Sequence, residues 1–302
     1  MHMGLFSKPI GIHITDQKIT LVRMGKNRLI PVLDAVIQKD LPAGIVVNGL
    51  VKDPKALLPY LKELQVETKE TQCMVSLPVV SSYSGVLRLP LAIEKDSLDE
   101  AILGQMPSVL PASPDELYFD RMVVKRLEDS SNFVFIVAIE KKLLDFYRKL
   151  FLRAGWEDAS FELENVGLAK ALPLELAQYP RHIFIHAFKD RSLLSSVYHG
   201  SVFDGVYSKD LSTTFVQSYK AFVQQTGVPP SHVILSGDHN VLAPLTSVVF
   251  KGPKPKFLTA KFVVEFKKHA LHSDELIIPT GLSLSKSPTR KNSGLRLLNL
   301  LD

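Results

Sequence analysis

Ile10-Gly11-Ile12-His13-Ile14-Thr15-Asp16-Gln17-Lys18-Ile19-Thr20-Leu21-Val22 is the stretch on which the fold turns. An apolar run, a polar tip and a second β-prone run predict a hairpin. The pattern returns far downstream as Ile183-Phe184-Ile185-His186-Ala187-Phe188-Lys189-Asp190-Arg191-Ser192-Leu193-Leu194-Ser195. In both copies a histidine follows Ile-x-Ile. A hairpin repeated at such a separation predicts two related halves. Further β-prone runs follow at 28–38 and at 202–207, so each half opens as a meander of three strands.

Working outward from the first meander, Asp53 is placed to cap a helix and Pro54 to open it. Leu57, Tyr60, Leu61 and Leu64 then recur on one helical face. Residues 73–77 and 84–89 predict strands ended by Pro78 and Pro90. Ser97-Leu98-Asp99-Glu100 fits a capping box for a short helix that Gly104 and Pro107 interrupt. Strands at 117–125 and 133–139 flank the polar Glu128-Asp129-Ser130-Ser131-Asn132. Residues 73–139 thus predict a small α+β insert. The helix at 140–154 shows Leu143, Tyr147, Leu150, Phe151 and Ala154 on one face, with Gly155 at its stop. Residues 160–177 predict another helix, through Leu163, Val166, Leu168, Ala169 and Leu172. After the second meander come a helix at 211–226 closed by Gly227, and the buried strand His232-Val233-Ile234-Leu235 leading into Ser236-Gly237-Asp238. A helical stretch then starts near Asn240, a helix lies near 259–271, and an apolar run covers 276–283.

Composition narrows the class. At 302 residues the chain has room for two domains of roughly 150 residues. Hydrophobic residues at 46% and charged residues at 22% are those of a folded globular chain and exclude disorder. No apolar run approaches the roughly 20 residues of a membrane helix. The single Cys73 excludes an internal disulfide and reads as a small buried hydrophobe. The net charge of +5 is concentrated at Lys251, Lys254, Lys256, Lys261, Lys267 and Lys268, and at Lys286, Arg290, Lys291 and Arg296 in the tail. Such clusters suit a solvated face, acidic lipid or nucleic acid. No aromatic residue interleaves with the tail charges, so nucleic acid is not expected as a partner.

The order of elements, from meander through helix, insert and helix to a second meander, helix and strand-Ser-Gly, resembles the actin-like ATPases. That resemblance implies an α/β, ribonuclease H-like duplicated fold with an inserted subdomain. Within that superfamily the chain resembles the PilM family, cytoplasmic actin-like proteins of type IV pilus machines. Phe6-Ser7-Lys8-Pro9-Ile10-Gly11-Ile12, Val47-Asn48-Gly49-Leu50-Val51-Lys52-Asp53-Pro54, Val75-Ser76-Leu77-Pro78, Asp115-Glu116-Leu117-Tyr118-Phe119-Asp120, Ala154-Gly155-Trp156 and Leu235-Ser236-Gly237 carry it. The cytoplasmic part of the type II secretion protein GspL is the runner-up. The resemblance implies a first lobe at 1–72 plus 140–178, the insert at 73–139, a second lobe at 179–285, and a basic linker with a leucine-rich tail at 286–302.

In actin-like ATPases the hairpin tips cradle the phosphates of ATP, with an Asp near metal and water. The corresponding vestigial loops here are Thr15, Asp16, Gln17 and Lys18; Lys189, Asp190 and Ser192; and Ser236, Gly237 and Asp238. His13 and His186 stand at the Asp positions, Thr15 and Phe188 at Gly positions, and Asp238 where a second Gly is usual. Phe188 blocks the close approach that Gly permits. The expectation is a non-catalytic protein with no ATP or Mg cofactor and no metal. An active ATPase with atypical loops is the competing reading, and a basic nucleic-acid-binding protein a lesser one. Facing histidines could share a metal or sense pH; no third ligand is identifiable, which leaves them packed or solvent-facing.

PilM-like proteins bind an Asn-Leu-Leu peptide at the cytoplasmic start of the membrane protein PilN, and Leu298-Asn299-Leu300-Leu301 resembles that peptide. The resemblance therefore implies a PilN-like or GspL-like membrane partner and a cytoplasmic motor ATPase. It also implies self-association through the tail and a peripheral place on the cytoplasmic side of the inner membrane.

Overall fold

A computed structural model describes residues 10–25, 32–93, 95–126, 130–248, 254–260, 264–266, 269–271 and 274–284. In chain order the elements begin with β1 (Ile10–Ile14), β2 (Lys18–Met24), β3 (Val32–Asp40), β4 (Val46–Val47), β5 (Leu50–Val51), α1 (Pro54–Thr68) and β6 (Gln72–Leu77). They continue through β7 (Ser82–Pro90), α2 (Lys95–Gln105), β8 (Leu117–Arg126), β9 (Ser131–Glu140), α3 (Lys141–Arg153), β10 (Asp158–Leu163), α4 (Glu164–Lys170) and α5 (Leu174–Ala177). Then follow β11 (Arg181–Ala187), β12 (Ser192–Tyr198), β13 (Ser201–Ser208), α6 (Leu211–Thr226), β14 (His232–Gly237) and α7 (His239–Leu242). The last are β15 (Lys256–Thr259), β16 (Val264–Phe266), β17 (His269–Leu271) and α8 (Ile277–Leu284).

The two hairpins are duplicated parts of duplicated sheets. One sheet runs β10-β6-β1-β2-β3-β16-β17 and the other β13-β12-β11-β14-β15. In each, the meander is antiparallel and two later strands add in parallel beside its first strand. Strand periodicity sorts the residues. In β6, Cys73, Val75 and Leu77 join the core under α1 and α3, while Met74 faces the opposite way. Burial pushes the Cys73 thiol well above its ordinary value, in keeping with a packed, unreactive side chain.

Local chemistry explains the helix ends. Asp53 accepts from the N–H groups of Lys55 and Ala56, both at 3.0 Å, and Pro54 opens α1. Asp210 caps α6, and Gly227 closes it at φ 75°. Asn48 (φ 54°) and Gly49 (φ 76°) form the tight turn between β4 and β5. The helix α2 begins at Lys95, so the capping box read at Ser97 lies inside it.

Four expectations need correction. The strand at 73–77, assigned to the insert, belongs to the first sheet between β1 and β10. The insert proper is the antiparallel sheet β7-β9-β8 with α2. Its central strand β9 sends Phe133, Phe135, Val137 and Ile139 into the main core, and Val134, Ile136 and Ala138 beneath α2. Second, the helix expected over 160–177 starts only at Glu164; Asp158–Leu163 is a strand parallel to β6. Third, the helix near 259–271 is absent from the described residues there, which form strands: β15 beside β14, and the β16–β17 hairpin. Fourth, the second lobe does not run to 285. The strand β16 pairs with β3, and α8 packs on β1, β2 and β6, so the chain returns to the first lobe.

That return is tight. A Cβ on Gly11 would lie 1.9 Å from the Pro279 carbonyl oxygen, and one on Gly281 would lie 1.7 Å from the Gly167 oxygen. Backbone meets backbone at both points, so only glycine fits. Leu168 of α4 and Ile277, Ile278 and Leu282 of α8 pack with Met74 from one sheet and Phe184, Leu193 and Ile234 from the other. The two helices thereby join the lobes.

Candidate functional site

The hairpin tips are turns that close on themselves. At the first tip the Thr15 N–H donates to the Lys18 carbonyl at 2.9 Å. The Thr15 hydroxyl accepts from the Lys18 N–H at 3.2 Å and from the Gln17 N–H at 3.4 Å. Asp16 turns sideways: its carboxylate accepts from the N–H groups of Asn48 (2.9 Å) and Gly49 (2.7 Å). Lys18 pairs with Glu275, its Nζ 2.9 Å from Oε1.

The second tip is closed by the Phe188 N–H donating to the Arg191 carbonyl at 2.8 Å. The Phe188 ring meets the His186 ring edge-on at 4.5 Å, and the Arg191 guanidinium lies 4.4 Å from the centre of the Tyr207 ring. Lys189 and Asp190 are exposed, whereas Ser192 is buried and its Oγ has no hydrogen-bond partner among the described residues. At the end of β14, Ser236 Oγ lies 2.7 Å from His186 Nδ1. Gly237 has φ 90°, and a Cβ there would sit 2.0 Å from the Ala187 oxygen. Asp238 caps α7 through the Asn240 N–H at 2.8 Å.

The two histidines do not meet. His186 faces Ser236, while His13 Nε2 lies 3.5 Å from Glu164 Oε2. No group of three or more His, Cys, Asp or Glu side chains among the described residues is arranged to hold a metal.

Glu164 is the residue that sequence reasoning missed. It opens α4 at 4% exposure, and its carboxylate joins three parts of the molecule. Oε1 accepts from the Val79 N–H at 2.7 Å, at the entry to the insert. Oε2 accepts from the Tyr207 hydroxyl of β13 at 2.9 Å and faces His13 of β1. Burial, then the Glu164 charge, push the Tyr207 hydroxyl well above its ordinary pKa. A buried carboxylate is tolerated because donors surround it. One signal lay in the sequence: Ser160-Phe161-Glu162-Leu163-Glu164 alternates polar and apolar, a strand pattern whose polar face is buried. On that face Glu162 pairs with Lys170 at 2.5 Å.

The insert is anchored to the second lobe. Phe135 packs 5.0 Å from Phe203 and 5.2 Å from Tyr198, between ring centres. Ser84 Oγ donates to Asp204 at 3.3 Å. Burial raises the Asp204 carboxyl, against hydrogen bonds from Gly205 and Ser84 that lower it. Residues 298–301, the candidate tail peptide, lie outside the described residues, as do Lys251, Lys261, Lys267, Lys268 and the basic residues beyond 285. No described helix is long and apolar enough to cross a membrane.

By sequence, no family model and no curated protein matches the chain. Structures do match. PilM of a PilM–PilN type IV pilus biogenesis complex superposes with a TM-score of 0.70 at 16% identity, covering 94% of this chain and 100% of that one. The cytoplasmic domain of EpsL, an inner-membrane component of the type II secretion system of Vibrio cholerae, gives 0.52 at 11% identity, over 92% and 95% of the two chains. At such identities the likeness is one of architecture, and it agrees with the duplicated sheets described above: the chain has the actin-like fold.

Proposed function

We propose that this chain is an actin-like scaffold of a type IV pilus or type II secretion platform, working by binding and not by hydrolysis. The observation that carries the reading is the agreement of fold over nearly the whole chain with PilM, a protein solved in complex with PilN. The EpsL likeness supports the same class of machine. The partner is the cytoplasmic segment of a PilN-like or GspL-like membrane protein, with a cytoplasmic motor ATPase as a further contact. The chain then sits peripherally on the cytoplasmic face of the inner membrane. Residues 298–301 are the candidate peptide, docking beside the insert in this chain or in a neighbouring copy.

The arrangement of these loops supports the non-catalytic part. The N–H groups of Thr15, Gln17 and Lys18 are spent inside the first turn. Asp16 and Asp238 are committed to backbone donors. Phe188 fills the second tip against His186. A Mg·ATP polyphosphate needs free donors and a free carboxylate in these places, so the residues present do not fit it.

Co-expression with the cytoplasmic segment of a PilN-like protein from the same cell tests the binding role. Co-elution in size exclusion is expected, and separate elution rejects the partner. Titration with Mg·ATP tests the other half: no binding heat and no phosphate release are expected, and micromolar binding with turnover rejects the non-catalytic reading.

A further inference from the structure

The outer faces of α1 and α3 carry rows of cations with no carboxylate among them. In α1 the exposed Lys55, Pro59, Lys62 and Val66, continued by Lys69 at the C-cap, recur every three or four residues. They lie opposite Leu57, Leu61 and Leu64, which face the core. In α3 the same spacing joins Lys142, Phe146, Lys149 and Arg153, with exposed Leu152 beside Arg153, opposite the buried Leu144, Tyr147 and Phe151. The two helices pack together and run the same way. The Tyr147 hydroxyl donates to the Gly49 carbonyl ahead of α1, and Trp156 Nε1, past α3, donates to the Leu61 carbonyl. A Cβ on Gly155 would lie 3.3 Å from Gln65 Oε1, which brings the end of α3 carrying Leu152 and Arg153 to the part of α1 carrying Val66.

These cations have no ion-pair partner among the described residues, and the acids beside them are engaged elsewhere. Lys39 of β3 holds Glu63 and Glu67 at 2.9 and 3.2 Å, and Asp145 lies 3.5 Å from Arg148. Exposed Glu157 lies past the end of α3. Val66 and Leu152, at 69% and 63%, are the most exposed large apolar side chains among the described residues. Single exposed apolar residues are ordinary; here both stand among uncompensated cations. We propose that the α1–α3 face is a contact surface for an anionic lipid bilayer, with the two rows of cations on the headgroups and Val66 and Leu152 entering between them. A bilayer takes both kinds of side chain at once, since the ammonium and guanidinium groups meet phosphates while the apolar tips reach the acyl boundary. The contact is made by this chain alone, so it stands or falls separately from the membrane partner of the pilus or secretion reading.

The test is co-sedimentation of the full chain, without any partner, with vesicles of phosphatidylcholine alone and with phosphatidylglycerol added. Binding is expected only when phosphatidylglycerol is present, and salt should weaken it. Each lysine near an anionic surface adds about fivefold in affinity, so Lys62→Gln/Lys149→Gln should bind about 25-fold more weakly. Lys209→Gln/Lys220→Gln removes the same charge from exposed sites on the second lobe and should bind like the wild type. Val66→Ser/Leu152→Ser should also bind more weakly. All the substituted residues are exposed, and thermal melting of each variant verifies folding. A wild-type chain that ignores phosphatidylglycerol overturns the proposal. So does wild-type affinity in Lys62→Gln/Lys149→Gln, which would move the contact to another part of the chain, or an equal loss in Lys209→Gln/Lys220→Gln, which would mark a general charge effect. Unchanged affinity in Val66→Ser/Leu152→Ser also overturns it, leaving a purely electrostatic surface of the kind an acidic protein would fit.

Discussion

Replacing Gly281 with alanine tests the helix crossing that joins the lobes. The added Cβ would lie 1.7 Å from the Gly167 oxygen, 2.7 Å from its carbonyl carbon and 3.2 Å from the Ala171 nitrogen. All three are backbone atoms, so no side-chain rotation relieves the clash. To reach ordinary contact, α4 and α8 must part by more than about 1 Å, a gap that forfeits a quarter to a half of each dispersion contact across it. The contacts at risk include Leu168 with Ile278 and Leu282, in the cluster shared by both sheets. Overpacking of this kind costs about 3 kcal/mol at the upper end of its usual range. Alanine returns about 0.5–1 kcal/mol by reducing backbone freedom in the unfolded chain. The net loss of about 2 kcal/mol corresponds to a fall of roughly 4–8 °C in melting temperature for a protein near this size. Thermal unfolding followed by circular dichroism reads it directly. Gly104→Ala in α2 is the control, since a Cβ there meets nothing within 4 Å; it should be neutral or stabilising. A Gly281→Ala protein melting at or above the wild-type temperature would refute the reasoning.

Three further substitutions probe the site and its frame. Glu164→Ala leaves the Val79 N–H and the Tyr207 hydroxyl without their acceptor in a buried place. Urea denaturation should show a loss of about 3–5 kcal/mol, and Glu164→Gln, which retains one acceptor, a smaller one. His182 is buried, and desolvation, only partly offset by its hydrogen bond to the Tyr179 carbonyl, lowers its pKa from 6.5 to about 4. The folded value lies below the unfolded one, so this contribution is complete above about pH 6.5 and is lost as the pH falls toward 4, amounting to about 3 kcal/mol. Denaturation measured across that window should fall steeply in the wild type and less steeply in His182→Gln; an unchanged slope counts against the assignment. Asp53→Ala removes the α1 cap and should cost about 1 kcal/mol by thermal melting.

The hairpins, α1, α3 and α6 were legible in the sequence because their signals are local: periodicity, a capping carboxylate, a glycine at a stop. The strand β10 was misread as helix because Leu163, Val166 and Ala169 also fit helical spacing, and a six-residue run cannot arbitrate. The strand β15 was lost for a related reason. It is four residues long and takes its hydrogen bonds from β14, which no pattern within 256–259 reports. The assignment of β6 to the insert failed because a strand's own residues do not name the sheet it joins. Its membership is decided by pairing with β1 on one side and β10 on the other.

The sequence by itself determined the duplication and the turn chemistry of the tips, since each is a property of neighbouring residues. Only the tertiary structure decided that the chain's end returns to the first lobe, that Glu164 ties two sheets to the insert, and that Glu275 meets Lys18. Those contacts join residues distant along the chain. Their energies come from burial, close backbone approach and charge at short range, which spacing along a sequence does not record.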